Sequence, residues 1–403
     1  MSNVLFLNIP YNGHVNPTLG LVDGLVKEGE QVTYFCSEEY RERIEKVGAT
    51  FKSYGKDMTI LKNGSNVFMD GNIEDKFINH IEKRLKLNMK ILPIIMGEIK
   101  GTKFDYIVHS AMFPLGYIIS RILKIPSISS FEEFATAKEL ITGIISGKRI
   151  KDYVSTDNYI KLRERLDKFY NVKMPTNILD LLSIKSDLNI AYTSKYFVSH
   201  PEYYDDSFIF IGPPIYDRKE VIDFPFEKLK DKKVVYISLG TVFNNTNDKL
   251  YDIFFKTFGN LDVVVVMTAY NIDISKFHIP ENFIVKNYVP QLEILKYTDV
   301  AITHAGMNSI GDLLYNNVPF VAIPIGSDQP YNAARTSALG ATISLDTYKL
   351  TPEILGNAIK KVQEDPSYLE NMKKISKSFK EAGGYKQAVE DIFNFKKQKW
   401  ISL

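Results

Sequence analysis

Short apolar runs alternate with amphipathic stretches in the first half of the chain, and small or polar residues close each run. Val4–Ile9 stops at Pro10, and Gln31–Cys36 follows Pro17–Glu28, a stretch with helical periodicity that ends before Gly29. Proline is well tolerated in a first helical turn, and glycine is typical just after a last one. This strand–helix–strand order predicts a parallel sheet. Further runs predict additional strands at Tyr106–His109, Ser127–Ser130, Leu188–Thr193 and Phe208–Ile211.

A second alternating series begins after a proline-rich segment, Gly212–Phe226, which has the composition of a linker. Its apolar runs predict strands at Val234–Leu239, Val263–Met267, Phe283–Lys286, Val300–Thr303 and Phe320–Ile323. Amphipathic stretches predict helices at Leu250–Phe258, Leu292–Tyr297, Ile310–Tyr315, Tyr368–Glu381 and Tyr385–Phe395. Near-continuous runs of Val and Ile suit strands that are covered on both faces. The pattern therefore predicts an α/β protein with two Rossmann-like, doubly wound domains, residues 1–215 and 216–382.

Composition narrows the class of protein. The 403 residues agree with two domains, and 45% hydrophobic with 24% charged residues is typical of a soluble globular chain. A net charge of +2 argues against nucleic acid or an anionic membrane as partner. A single cysteine, Cys36, excludes an intrachain disulfide and agrees with a reducing compartment. Neither a signal peptide nor a 20-residue apolar run is visible, so we expect a cytoplasmic protein.

Polar residues collect in the stretch "THAGMNSIGDLLYNNVPFVAIPIGSDQPYNAAR", Thr303–Arg335, directly after two predicted strands. Ligands of parallel sheets bind beyond the carboxyl ends of the strands. A helix start approached through a small residue such as Gly306 offers free N–H groups to a phosphate. The pattern thus indicates a phosphate-bearing ligand. Simple capping of a helix by Asn308 and Ser309, with His304 filling space, explains the same residues.

Two motifs favour the phosphate-bearing ligand over simple helix capping. "NYVPQLEIL", Asn287–Leu295, followed by the stretch above, resembles the donor-binding signature of UDP-sugar glycosyltransferases of the GT-B architecture. The chain is most similar to the bacterial macrolide/flavonoid type of family 1, because "NIPYNGHVNPTLGLVDGLVKEGEQVTYF" and "ISLGTVF" match the starts of its two domains. The resemblance spans essentially the whole chain. It implies two domains facing across a cleft, with the acceptor on residues 1–215, the nucleotide sugar on 216–382, and a final helix, 383–403, packing back on the N-terminal domain.

The resemblance also implies roles for the donor-site residues. Val289 and Gln291 would face the uracil, and Asp312 would bond the ribose hydroxyls, although the family usually has Glu there. Asp328 and Gln329 would bond hydroxyls of the sugar. A third set would hold the diphosphate: His304, the N–H groups around Gly306, Asn308 and Ser309, and, in support, Ser238 and Thr241.

His14, in the predicted loop "NGHVNP", matches the general base of the family. An imidazole with a pKa near 6.5 can accept the proton of an attacking alcohol at neutral pH. The family orients this histidine with an aspartate, and Ser110 stands at the matching position in "KFDYIVHSAMFPLG". Serine cannot stabilise an imidazolium by charge. Either His14 is then a weaker base, which favours phenolic acceptors, or a carboxylate from elsewhere takes over; His109 and Asp70 are conceivable substitutes.

These residues predict an inverting glycosyltransferase that moves glucose from UDP-glucose to a hydroxyl of a small hydrophobic acceptor, such as a phenolic, flavonoid or macrolide-like compound. No cofactor or metal is expected, because the chain contains no Asp-x-Asp pair. We expect UDP-sugar and acceptor as the partners, and a monomer or weak homodimer. The main alternative is a nucleotide-sugar-binding protein with little or no turnover, which Ser110 would favour. A sugar-nucleotide epimerase, a lipid-linked glycosyltransferase and a dinucleotide oxidoreductase are weaker alternatives, the last lacking a G-x-G-x-x-G motif.

Overall fold

Two parallel sheets organise the chain, each in its own compact unit. The computed structural model describes residues 1–55, 73–132, 155–216, 222–240, 248–270 and 272–401. The first unit contains Met1–Ser194, His200–Tyr216 and Ala382–Leu403, and the second contains Lys195–Ser199 and Asp217–Glu381. The crossing after Tyr216 falls in the proline-rich segment.

The first unit is built on a seven-stranded sheet with the order β3-β2-β1-β4-β5-β6-β7. Its strands are β1 Asn3–Leu7, β2 Gln31–Cys36, β3 Thr50–Ser53, β4 Tyr106–Ser110, β5 Ser127–Phe131, β6 Leu188–Ala191 and β7 Phe208–Phe210. Its helices are α1 Asn12–Lys27, α2 Arg41–Lys46, α3 Ile73–Glu98, α4 Pro114–Leu123, α5 Asp157–Tyr170 and, from the end of the chain, α12 Gly384–Ile401. Every strand pair is parallel, as predicted.

The side chains of successive β1 residues pack into hydrophobic cores on opposite faces of the sheet. Leu5 and Leu7 belong to one hydrophobic cluster, with Ile107 of β4, whereas Val4 and Phe6 belong to another. Side chains of a strand alternate between the faces of the sheet, so both faces of this sheet are covered. All these residues are fully buried. This is why the strands read as uninterrupted apolar runs in the sequence.

The strands beside β1 fix which residues meet at its carboxyl end. Leu7 pairs with His109 of β4, and Ser110 pairs with Ser130 of β5. Residues that follow β1, β4 and β5 therefore emerge side by side at one edge of the sheet. A parallel sheet presents its ligand-binding loops at this edge.

The first helix begins earlier than its sequence suggests. The sequence pattern predicts a loop up to Asn16 and a helix from Pro17, but α1 begins at Asn12 and contains Pro17. Proline costs a helix one backbone hydrogen bond, because it has no N–H. The carbonyl of His14, in the turn before Pro17, accepts a hydrogen bond from the Asn8 side chain at 2.9 Å. His14 is thus a residue of the first helical turn rather than of a loop.

The last helix, α12, packs on the first unit. The Tyr385 hydroxyl donates to the carbonyl of Pro17 at 2.5 Å, and Ile392 is fully buried in the same cluster as Val4. Further along, the Lys396 ammonium lies 2.7 Å from the buried carboxylate of Glu30. The helix therefore contributes both apolar and charged contacts to this core.

The second unit is built on a six-stranded parallel sheet with the order β10-β9-β8-β11-β12-β13. Its strands are β8 Val234–Ser238, β9 Val264–Thr268, β10 Phe283–Lys286, β11 Val300–Thr303, β12 Phe320–Ala322 and β13 Ile343–Ser344. Its helices are α6 Asp248–Phe258, α7 Gln291–Leu295, α8 Met307–Tyr315, α9 Gln329–Ala338, α10 Pro352–Glu364 and α11 Pro366–Glu381. Both units are thus α/β domains with parallel sheets, which confirms the predicted fold class.

Candidate active site

In the first unit, His14 and two residues distant in sequence meet at the carboxyl edge of the sheet. The Nδ1 atom of His14 lies 3.3 Å from Oε2 of Glu132, and the two side chains are 10% and 1% exposed. The Ser110 hydroxyl donates to the same Oε2 at 2.9 Å and lies 3.4 Å from His14 Nδ1. A carboxylate accepts only, so the contact with Glu132 assigns a proton to Nδ1 and a lone pair to Nε2.

Glu132 is the carboxylate that the sequence left unidentified. It directly follows β5, where a polar residue at a strand end is a signal for a site, whereas the pattern of the family points only to the residues around Ser110. His109, one of the two suggested substitutes, does not take this place. The His109 ring is buried with its nitrogens at the Ser110 carbonyl and the Ser186 hydroxyl, both at 2.9 Å. Asp70 lies outside the described residues.

Burial decides the protonation of the surrounding groups. Desolvation lowers the pKa of His109 to about 4, so its ring is neutral at pH 7. It also raises the pKa of the Tyr34 and Tyr192 hydroxyls well above their usual range, and the charge of Glu132 adds to both shifts. The tyrosines therefore stay protonated, and His14 remains the group of this cluster suited to accept a proton near neutral pH.

In the second unit, His304 stands between two glycines at the carboxyl ends of β8 and β11. A Cβ atom placed on Gly240 or Gly306 would lie 2.4 or 2.5 Å from His304 Nε2, which only glycine avoids. Nδ1 faces the carbonyl of Ser238 at 3.4 Å. Burial lowers the pKa of His304 to about 4, so the ring is neutral at pH 7. This packing holds Nε2 next to the backbone of Gly306.

The helix behind His304 begins at Met307, with Gly306 as its N-cap and no side-chain capping bond. The alternative that Asn308 and Ser309 serve as caps is therefore wrong: both lie inside the first turn. The preceding Ala305 has a left-handed backbone, φ 67°, which is unusual for a residue with a Cβ. A hydrogen bond from Asn332 Nδ2 to the Ala305 carbonyl, at 3.0 Å, supports this turn. It leaves the amides of the first helical turn at the edge of the sheet, where an anion binds well.

The residues expected around the nucleoside form a network. Gln291 Nε2 donates to Asp312 Oδ2 at 2.6 Å, and the Tyr236 hydroxyl donates to Gln291 Oε1 at 3.0 Å. Asp312 is only 5% exposed, and Val289 is buried beside this segment. Tyr236 belongs to an apolar strand run, so no sequence signal separates it from the core. Gln291 is thus hydrogen-bonded to Asp312, and the predicted uracil and ribose positions are linked through their side chains.

The residues expected at the sugar lie at the start of α9. Gln329 is buried, and its Oε1 accepts from the N–H groups of Ile325 and Gly326 at 2.8 and 3.0 Å. Asp328 is the N-cap residue and accepts from Asn332 at 2.7 Å. Gln329 therefore shapes the loop with its oxygen, and its amide group is the part that could bond a sugar. Thr241 lies outside the described residues.

Two negative findings concern other classes of site. Among the described residues, no group of three His, Cys, Asp or Glu side chains is arranged to hold a metal ion. In the same part of the chain, no helix is both long and apolar enough to cross a membrane. The expectations of a metal-free reaction and of a cytoplasmic location stay predictions.

Known proteins share both the fold and the sequence. The crystal structure of CalG4, the calicheamicin glycosyltransferase, matches with a TM-score of 0.81 over 98% of each chain at 21% identity. An uncharacterized UDP-glucosyltransferase of Bacillus subtilis strain 168, YdhE, is 34% identical over 99% of this chain and 100% of its own. The NDP-glycosyltransferase YjiC of the same strain is 30% identical over 98% of both chains.

The fold and these relatives define a glycosyltransferase of the GT-B type. The family model for "UDP-glucoronosyl and UDP-glucosyl transferase" matches residues 221–383, most of the second unit. With YdhE similar along its entire length, the chain belongs to this family, the family 1 glycosyltransferases. A nucleotide sugar and an acceptor are accordingly its substrates.

Proposed function

We propose that this enzyme transfers glucose from UDP-glucose, with inversion, to a hydroxyl of a small hydrophobic acceptor, such as a phenolic, flavonoid or macrolide-like compound. The observation that carries the proposal is the pair formed by His14 and Glu132 at the carboxyl edge of the first sheet. Nδ1 is committed to the carboxylate, so Nε2 is the ring nitrogen whose lone pair can accept a proton. The name of YdhE, a UDP-glucosyltransferase, supports glucose as the sugar.

The transfer is a single displacement. The acceptor O–H gives its proton to His14 Nε2 while its oxygen forms a bond to C1 of the sugar. The bond from C1 to the β-phosphate oxygen breaks, and its electron pair leaves with UDP. Attack opposite the leaving group turns an α-linked donor into a β-glycoside. The imidazolium that forms is stabilised by Glu132, a role that typically contributes about 10²–10⁴-fold together with the base.

The donor would be held by the second unit. The amides at the start of α8, with Met307 at its first position, can stabilise the charge that develops on the β-phosphate as UDP leaves. Asp312 is placed to bond the ribose beside Gln291. The helix amides stabilise the negative charge on the departing UDP, and we expect no metal to be required.

A phenolic acceptor is supported by the surroundings of the base. The ring of Tyr11 lies 6.2 Å from the ring of His14, tilted by 50°. An aromatic side chain next to the proton acceptor can pack against a planar aglycone. The alternative of a binding protein without turnover depended on Ser110 leaving His14 without a carboxylate. Glu132 removes that premise.

The test is turnover with UDP-glucose and a panel of phenols, flavonoids and macrolides, measured by UDP release and by mass spectrometry of the product. We expect hexosylated phenols whose anomeric proton has the large coupling of a β-glucoside. His14→Gln should lower kcat by about 10²–10⁴-fold. His200→Gln, a change of a half-exposed histidine paired with Glu202, is the matched control. UDP-glucose binding without product on any acceptor would refute the proposal.

Donor choice, metal and assembly need separate measurements. Parallel reactions with other UDP-hexoses and with dTDP-glucose should give lower kcat/KM than UDP-glucose. Activity should survive EDTA. Light scattering should report a monomer or a weak homodimer.

A further inference from the structure

We propose that Glu132 is the positioning carboxylate for His14 and that the Ser110 hydroxyl holds it in place. The carboxylate that the family resemblance leads one to expect at position 110, after β4, is supplied in this chain from position 132, after β5. The inference rests on the proposed glycosyl transfer and names a residue that the sequence did not reveal.

The register of the sheet explains how Glu132 reaches His14. Ser110 pairs with Ser130, so Glu132 emerges two residues further along the strand that neighbours β4. From there its carboxylate meets the Ser110 hydroxyl at 2.9 Å and His14 Nδ1 at 3.3 Å through one oxygen, Oε2. A small residue at position 110 is necessary for this arrangement, because a second carboxylate there would lie against the first.

The state of the other carboxylate oxygen explains why Glu132 can stabilise an imidazolium. Glu132 is 3% exposed, and its Oε1 has no hydrogen-bond partner among the described residues. A buried carboxylate with one oxygen unsatisfied is poorly compensated in the resting enzyme. When His14 takes the proton of the acceptor, a positive charge forms beside this carboxylate. The attraction is stronger in the transition state than before it, which is the condition for catalysis.

The first test is Glu132→Gln, which keeps the shape of the side chain and removes its charge. We expect kcat to fall by about 10²-fold for an aliphatic alcohol and by about tenfold for a nitrophenol, since an acidic acceptor needs less help in losing its proton. KM for UDP-glucose should not change. The ratio of the two acceptors does not depend on how much of the protein is folded, so an equal loss for both would overturn the proposal.

Glu202→Gln is the matched control for this change. Glu202 also faces a histidine, His200, at 2.9 Å, but this pair is on the surface, with side chains 62% and 43% exposed. The control should leave both acceptor rates at the wild-type level. A loss equal to that of Glu132→Gln would overturn the assignment.

The second test moves the carboxylate. Ser110→Asp alone places two carboxylates on one site, where they resist joint ionisation, and should lower kcat. Ser110→Asp combined with Glu132→Gln returns a single carboxylate to the cluster and should be at least about tenfold more active than Glu132→Gln alone. A double variant no better than Glu132→Gln would show that the charge has no positioning role.

The third test does not need turnover. The chain has six histidines, and the imidazole signals of His14 can be assigned by NMR with His14→Gln. Glu132→Gln should move the titration of His14 to lower pH, whereas Glu202→Gln should not; an unmoved titration would overturn the pairing. Wild-type protein that glycosylates no acceptor would instead refute the proposed function, while the titration would still decide whether Glu132 acts on His14.

Discussion

Replacing Lys396 by Met should destabilise the first unit, because it leaves a carboxylate buried without its counter-charge. Lys396 Nζ lies 2.7 Å from Glu30 Oε1, and the two side chains are 6% and 0% exposed. The other oxygen of Glu30 accepts from the Tyr106 hydroxyl at 3.1 Å. Met preserves most of the apolar stem of Lys396 beside Tyr106 and Phe393, so the change removes chiefly the charge.

The magnitude follows from the distance and the burial. At an effective dielectric constant of about 20, two unit charges separated by 2.7 Å attract by about 6 kcal/mol. The cost of desolvating both groups offsets much of this, and breaking a buried pair by removing one partner typically costs about 3–5 kcal/mol. Combining Lys396→Met with Glu30→Gln removes both charges and should cost less than Lys396→Met alone.

Urea denaturation followed by circular dichroism is the assay. With a slope of about 2 kcal/mol per M urea, the midpoint should fall by about 1.5–2.5 M. Lys27→Met is the control, because Lys27 is 71% exposed in its pair with Asp23 and should cost at most about 1 kcal/mol. Equal losses in the two variants would refute the reasoning.

Three further predictions concern glycine and histidine residues. Gly306→Ala places a Cβ 2.5 Å from His304 Nε2 and should weaken UDP binding at least tenfold, as measured by calorimetry. Gly97→Ala, which has open space around its Cβ position, should leave the affinity for UDP unchanged. Equal UDP affinities of the two variants would contradict the predicted clash. UDP binding near pH 6 should be coupled to the uptake of a proton by His304, because its Nδ1 faces a carbonyl and its Nε2 needs a proton to donate to phosphate. Calorimetry in buffers of different ionisation enthalpy measures the number of protons taken up. Proton uptake that persists in His304→Asn would exclude this role of His304. The free energy of unfolding should fall as the pH drops from about 6.5 to about 4, because His109 and His304 have a pKa of about 4 in the folded protein and therefore protonate first in the unfolded chain. Each histidine contributes roughly 3 kcal/mol of stability that is fully present above pH 6.5. Urea midpoints that do not depend on pH in this window would contradict the prediction.

The sequence predicted the architecture well where strands are buried on both faces. Val234–Ser238 and Val300–Thr303 are fully buried strands, and their runs of Val and Ile are visible without any structure. Short strands at the sheet edge, such as Ile343–Ser344, carry too few residues for a pattern. The start of α1 was predicted wrongly because proline is typical of a first helical turn, whereas Pro17 lies inside a helix that begins at Asn12.

The candidate site was less predictable than the fold. His14 and His304 occur in local motifs, so their sequence context was sufficient to select them. Glu132 contacts His14 across 118 residues of sequence, and only the order of the strands brings the two together. The link between Gln291 and Asp312 is likewise a tertiary contact that spacing does not show.

The return of the chain at Ala382 has a consequence for synthesis. The hydrophobic cluster that surrounds Val4 includes Ala388 and Ile392, so the core on this face of the first sheet stays incomplete until the residues after the return have been synthesised. The second unit, apart from Lys195–Ser199, is continuous in sequence and has no such delay. A fragment that ends before Gly384 should therefore leave the ribosome with apolar surface exposed to solvent. Chaperones bind such surface.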